Sequence, residues 1–546
     1  METIFTLKAN FVDLQNNSIY PAAVKINNDR IEKITRIEGQ FEEFIMPGFI
    51  DAHVHIESSM VSPQAFSQAA CVHGTVATVS DPHEIANVCG LKGIQYMIDN
   101  AKKAAIKIHF GAPSCVPATN FETAGAIINA KDIEQLMQSS DIYYLAEMMN
   151  FPGVLSNDKE VLQKIAVSKK SEKPIDGHAP GLRGSEAANY IAAGISTDHE
   201  CTTMAEAMEK ASLGMKILIR EGSAAKNFDA LMPIFHHFPK QIMFCSDDKH
   251  PDELIKGHIN QLVRKAIALG YPLFDILRAA CNTPIEHYKL PVGQLRIGDY
   301  ADFIIVKDLK DFEVKQTYIN GKCVAENGKS NEVFAPPELI NQFKRTKIEK
   351  EALSLKINSE QNTISVKAIV ALDGQLITEE ESVALPIINK EIQADPLKDT
   401  LKIVVCSRYQ NTPPAIAFIK RFGLKSGAIA SSIGHDSHNL IAVGVDDISI
   451  QKALNIIIEN QGGISVCNGD ESYCMPLPIA GLMSNKNAFD AATEYQMLDL
   501  KAKQLGASLS APFMTLSFMA LPVIPKLKIT DKGLFNVNNF NFTSLY

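Results

Sequence analysis

The sequence lacks the features that would place it in a membrane, on a nucleic acid or outside the cell. Its ten cysteines include no C-x-x-C pair, and the start METIFTLKAN lacks the basic-then-apolar layout of a secretory signal. Reduced thiols in the cytoplasm are expected. The longest apolar stretch, Ala511 to Pro525, is too short to span a bilayer and carries Pro512, Pro522 and Pro525, so it should be buried core rather than a membrane span. No basic block interrupts a balance of 53 Lys plus Arg against 62 Asp plus Glu, net −9, which argues against electrostatic capture of nucleic acid. Internal repeats and low-complexity tracts are also missing. What remains is ordinary for a folded globular chain: 546 residues, 46% hydrophobic and 21% charged, enough for several domains at roughly 150 residues each.

The chain divides by pattern. Up to about residue 46, short strands are expected: Ala23-Val24-Lys25-Ile26 alternates, Asn27-Asn28-Asp29 turns, and Ile31 begins a new run. A second strand-rich stretch follows far downstream, with Asn320-Gly321 as a turn, and the two pieces can pair into one sheet. Between them, short apolar runs alternate with helix-like stretches, the order of parallel strands joined by helical crossovers. Eight such strands lead into His53, Asp81, Gly111, Glu147, His178, His199, Arg220 and Asp247, although Pro174 to Gly177 and Ile195 to Thr197 are weak by propensity. The charged stretch Lys344 to Glu351 marks a boundary to a C-terminal domain. There Leu401 to Cys406 reads as a strand, and Ser449 to Asn460 as a helix capped by Ser449. The expected fold is thus α/β: a distorted (β/α)8 TIM barrel over 47–294, a small composite β domain from 1–46 and 295–335, and an α+β domain over 352–546.

Asp51-Ala52-His53-Val54-His55 is the sharpest motif. On a strand, residues i and i+2 share a face, so His53 and His55 can hold one metal. Alone it says little, because 14 histidines in 546 residues give about 0.36 His-x-His pairs by chance. However, Glu147, His178, His199 and Asp247 close four other predicted strands, and active sites of such barrels lie at the C-terminal strand ends. Four imidazoles and two carboxylates without thiolate suit Zn²⁺, Mn²⁺ or Fe²⁺. Six ligands suit two ions about 3.5–4 Å apart, which lower the pKa of a bound water to about 7.

Gly48-Phe49-Ile50-Asp51-Ala52-His53-Val54-His55 resembles the opening of amidohydrolase-superfamily barrels, and Ile56-Glu57-Ser58-Ser59-Met60 resembles bacterial-type adenine deaminases. The resemblance continues through Asp81-Pro82-His83-Glu84, Ala146-Glu147-Met148-Met149, Asp176-Gly177-His178, Thr197-Asp198-His199-Glu200, Ile219 to Lys226, Ser246-Asp247-Asp248-Lys249-His250, His435-Asp436-Ser437-His438 and Phe518 to Pro525. It implies hydrolysis of free adenine to hypoxanthine and ammonia in purine salvage, by attack of a metal-bridging hydroxide on C6. Glu147 stands where many amidohydrolases carry a carboxylated lysine. Ser407-Arg408-Tyr409 departs from the Glu-Arg-His that relatives tend to show.

His53, His55 and Asp247 are assigned to the first metal and His178 and His199 to the second, with Glu147 bridging and Asp247 also shuttling the proton. Two divalent ions, Mn²⁺ or Fe²⁺ with Zn²⁺ as the alternative, are the expected cofactors. His83 and Glu84 are the favoured further catalytic groups. Asp81, Glu186, Glu221 and Asp248 are other acids in reach, and Asp81-Pro82-x-Glu84 also reads as a helix start. Arg220-Glu221 reads as an internal ion pair. His435 and His438 would close over the pocket or form a subsidiary site, while Cys201 and Cys245 would pack as small apolar groups. Adenine and water are the expected partners, with a homodimer and neither nucleic acid nor membrane. Two other readings are a hydrolase of a cyclic amide or N-acyl substrate on the same scaffold, and a binding barrel without catalysis, which predicts missing ligands.

Overall fold

Apolar runs in the central segment form eight parallel strands: Phe49–Val54, Thr75–Ser80, Lys107–Ala112, Ile142–Met148, Ile175–Gly177, Thr197–Asp198, Lys216–Arg220 and Ile242–Cys245. The computed structural model describes residues 3–223 and 225–546. Met1, Glu2 and Ala224, the last within the Ile219 to Lys226 motif, lie outside the described residues. The first five strands bond in order as one parallel sheet and the last three as another. Hydrogen bonds join the two arcs: Ser196 N donates to Ile175 O at 2.9 Å, and Asp247 N donates to His53 O at 2.9 Å. The last strand thereby meets the first, and a distorted (β/α)8 barrel results, as expected. The two strands of weak propensity are its shortest.

Helices cover the barrel because their apolar residues recur at helical spacing. In Ile259–Ala268, residues Ile259, Leu262, Val263 and Ala266 are buried on one face. Burying each large aliphatic side chain there contributes about 1.5–3 kcal/mol.

An eight-stranded sheet takes strands from both sides of the barrel. Phe44–Pro47 is its junction: it pairs in parallel with Asn10 and Phe11, and antiparallel with Phe303–Val306. The Asn320-Gly321 turn has positive φ at both residues, and a Cβ on Gly321 would lie 2.0 Å from Asn28 O, so only glycine fits.

The C-terminal region builds a nine-stranded sheet whose member Thr400–Cys406 matches the predicted strand. Its helix Asp447–Glu459 starts earlier than expected. Asp446, not Ser449, is the cap, because the Asp446 carboxylate accepts from Ser449 N at 2.8 Å. Pro512–Phe518 is a short, wholly buried helix. Among the described residues no helix is long and apolar enough to cross a membrane.

Candidate metal centre

Strand pleating directs His53 and His55 to one face at the end of the first strand, with their Nε2 atoms 3.2 Å apart. Asp247 Oδ1 lies 3.5 Å from His53 Nε2 and 3.2 Å from His55 Nε2. Glu147, at the end of the fourth strand, faces both halves of the cluster. Its Oε1 is 3.3 Å from His55 Nε2, and its Oε2 is 2.7 Å from His178 Nδ1 and 3.2 Å from His199 Nε2. His199 stacks on His53 with ring centroids 4.0 Å apart. The six side chains expected to converge therefore lie together, all buried.

These separations fit shared cations better than hydrogen bonds. Two donors each about 2.1 Å from a tetrahedral ion are roughly 3.4 Å apart, and most of the observed pairs are close to that value. Facing imidazole nitrogens and carboxylates also concentrate negative potential. Burial opposes a charge on His55, yet Asp247 and Glu147 raise its pKa well above the ordinary value. Burial would likewise raise Glu147, but His178, His199 and His55 hold it well below the usual carboxylate range. The set is built to be completed by positive charge. The tautomer is prepared too: His55 Nδ1 lies 3.1 Å from the Asp81 carbonyl, which leaves Nε2 as the ligand atom.

Asp247 adopts φ 55°, a left-handed conformation uncommon outside glycine, and is held there by its backbone bonds to His53 and His55 across the barrel seam. Beneath the seam, Asp51 accepts from Ser246 N at 3.0 Å and pairs with His258 Nε2 at 2.8 Å. This buried network fixes the first strand against the eighth.

The other sequence candidates separate sharply. His83 lies beside the cluster, with Nδ1 3.4 Å from Glu147 Oε1 and 3.2 Å from Asp81 Oδ2. Asp81 accepts from His83 N at 3.0 Å, while Pro82 occupies the cap position of helix His83–Cys89. Glu84 lines the same cavity as the ligands and pairs with His435 Nδ1 at 2.6 Å and with His438 Nε2. Burial opposes its charge, but those imidazoles keep it well below its ordinary value. Asp248 accepts from Ser58 Oγ and is pushed up by burial and by the charge of Asp247. Glu186 is exposed on helix Gly184–Ala192 and does not reach the site. Glu221 is 3.8 Å from Lys265, so the expected Arg220–Glu221 pair does not form. Alternation along the strand end sends Arg220 inward, where it pairs with Glu200 and Asp247, and Glu221 outward. Cys201 and Cys245 are buried, with thiols raised well above their ordinary range by desolvation, and are inert packing groups.

Sequence reasoning missed Glu200 and Asp436. Glu200 Oε1 stands 3.5 Å from His199 Nε2, and Asp436 Oδ1 stands 3.8 Å from His83 Nε2. Glu200 directly follows His199 and closes the Thr197-Asp198-His199-Glu200 motif, which were its sequence signals. The C-terminal region supplies the roof: His435, Asp436, Phe518, Leu521, Ile524 and Leu376 line the cavity over the ligands. His435 stacks on Phe518 at 4.3 Å.

A barrel with this cluster at its strand ends defines a metal-dependent hydrolase of the amidohydrolase type. The amidohydrolase family matches residues 44–324, and the adenine deaminase C-terminal domain matches residues 375–541. The chain is 52% identical to the adenine deaminase of Sulfurovum sp. (strain NBC37-1), over 98% of each chain. It is 49% identical to that of Parabacteroides distasonis, over 99% of this chain and 98% of that one. A further adenine deaminase, from Methanosarcina acetivorans, is 48% identical over 98% of each. The chain belongs to the adenine deaminase family. Among solved structures, a beta-aspartyl dipeptidase from Fervidobacterium islandicum AW-1 is 15% identical with a TM-score of 0.46, over 61% of this chain and 100% of that one.

Proposed function

We propose that this chain hydrolyses free adenine to hypoxanthine and ammonia. The observation that carries the reading is the convergence of His53, His55, Glu147, His178, His199 and Asp247 from five separate strand ends, in a chain of this family. These six residues would hold two divalent ions, with Mn²⁺ or Fe²⁺ best suited to an oxygen-and-imidazole set. Ions so held supply hydroxide at neutral pH and polarise the substrate.

The remaining steps belong to the chain's own residues. Burial would favour protonated Asp247, but Arg220 and the neighbouring imidazoles keep it ionised, so its carboxylate can accept the proton of the attacking water and deliver it to N6. Ammonia then leaves as the neutral molecule. Ring N1 must also gain a proton. Asp248 suits that role better than Glu84, since burial favours its protonated form while two imidazoles hold Glu84 charged. His83, raised well above its ordinary value by Asp81 and Glu84 against the effect of burial, is a second donor in the same wall. The roof residues Phe518, Leu521 and Ile524 exclude bulk water.

Free thiols at all ten cysteines support a cytoplasmic enzyme, and purine salvage is the role such a reaction serves. A homodimer is the expected assembly, which sedimentation would test. The central experiment loads the protein with Mn²⁺ or Fe²⁺, supplies adenine and follows hypoxanthine and ammonia together. Turnover in equal amounts is expected; no turnover with either metal overturns the reading.

A further inference from the structure

The reaction cavity is narrow. It measures about 30 Å³, room for about one water, while its ligand side chains are buried, so a purine cannot enter without part of the wall moving. A second cavity of about 600 Å³ lies against it, lined by barrel loops and by the C-terminal region. The two share three lining residues: Glu200, Leu376 and Ile524. Glu200 is locked by the buried Arg220 guanidinium, which leaves the two aliphatic side chains as the movable part of the partition.

Their setting suits movement. Leu376 sits in the irregular segment Asp373 to Ile377, of which Asp373, Gly374, Gln375 and Ile377 are exposed. Gly374 holds φ +70°, and nothing lies within 4 Å of where its Cβ would be, so the turn has open space around it. The segment is also tied to the strand of chain that carries Ile524. Thr378 N donates to Pro525 O at 2.9 Å, Lys526 N donates to Thr378 O at 3.1 Å, and Lys528 Nζ donates to Leu376 O at 2.7 Å. Leu376 and Ile524 are therefore linked through these hydrogen bonds.

We propose that the larger cavity is the vestibule of the enzyme and that Leu376, with Ile524, is the gate through which the substrate passes to the metal centre. The identity of that substrate rests on the adenine reading; the gate itself does not. Gate motion of this kind sets access and, with it, which ring substituents are admitted.

The test uses the metal-loaded full chain and two readouts: the rate at which dipicolinate strips the metal, and kcat/KM for adenine. Leu376→Ala should accelerate stripping by about fivefold or more, and Leu376→Trp should slow it by a similar factor while kcat/KM falls about tenfold at unchanged metal content. Stripping rates within about twofold of wild type in both variants would overturn the gate. If Leu376→Trp fails to fold, Ile524→Ala replaces it, with faster stripping supporting the gate and an unchanged rate overturning it. Altered stripping in the variants, beside a wild-type enzyme that ignores adenine, would keep the gate and remove the substrate reading, so the two failures are distinct.

Discussion

The guanidinium of Arg220 grips Asp247 from behind: it donates to Oδ2, while Oδ1 of the same carboxylate faces His53 and His55. One oxygen is thus tied to the guanidinium and the other faces the cavity imidazoles. This division explains how a fully buried aspartate stays ionised on the strained turn that closes the barrel.

Asp247→Asn should retain much of the metal but lose turnover by about 10³-fold or more, because an amide cannot carry the proton. Metal content and steady-state rate are measured on the same sample. A near wild-type rate would show that the proton travels elsewhere.

Arg220→Met should move the acid limb of the kcat/KM profile upward. The base works ionised, so activity falls as pH drops through its pKa, and loss of the guanidinium raises that pKa. Arg220→Lys should rescue only in part, since one ammonium cannot reproduce the fork that spans Glu200 and Asp247.

Glu147→Gln should bind fewer than two ions per chain. The amide removes the charge that His55, His178 and His199 all face, and elemental analysis after reconstitution reads the result. Two retained ions would count against a bridging role.

His435→Gln should change the pH dependence of stability. Burial opposes a charge on His435, but Glu84 raises it to about 9 from an ordinary 6.5. A raised pKa gives stability that is fully present below pH 6.5 and lost as pH rises through 9. The wild type should therefore exceed the variant by on the order of 3 kcal/mol at pH 6, with the gap closing by pH 9.5. Urea denaturation at both pH values measures it, and a gap independent of pH would refute the assignment.

Much of the barrel was legible because seven of the eight strands, all but the one leading into Gly111, run into a residue too polar for the run before it. Even the weak candidates gave strands. Ile175–Gly177 and Thr197–Asp198 are too short to form by propensity, but they are held by neighbours and by Asp176, which accepts from Thr197 Oγ1 at 2.8 Å and Tyr288 at 2.9 Å. Partner choice was not legible. Arg220 and Glu221 are adjacent in sequence and opposite in charge, yet strand alternation separates them, and the true partners lie 20 and 27 residues away. Glu84 was favoured over Glu186 on its place in a motif, but that it is met by imidazoles from a distant segment was not legible. The first pairing depends on how barrel strands align and the second on how the C-terminal region lies over the barrel, neither of which local pattern encodes.

The short strand Phe44–Pro47 has a consequence for biosynthesis. One of its edges is satisfied early by Asn10 and Phe11, but the other waits for Phe303–Val306, synthesised only after the entire barrel. A nascent chain emerging from the ribosome carries an open, apolar β edge throughout that interval, exposed to adventitious partners. Translation stalled before Phe303 should yield an aggregation-prone product, however well the barrel itself has formed.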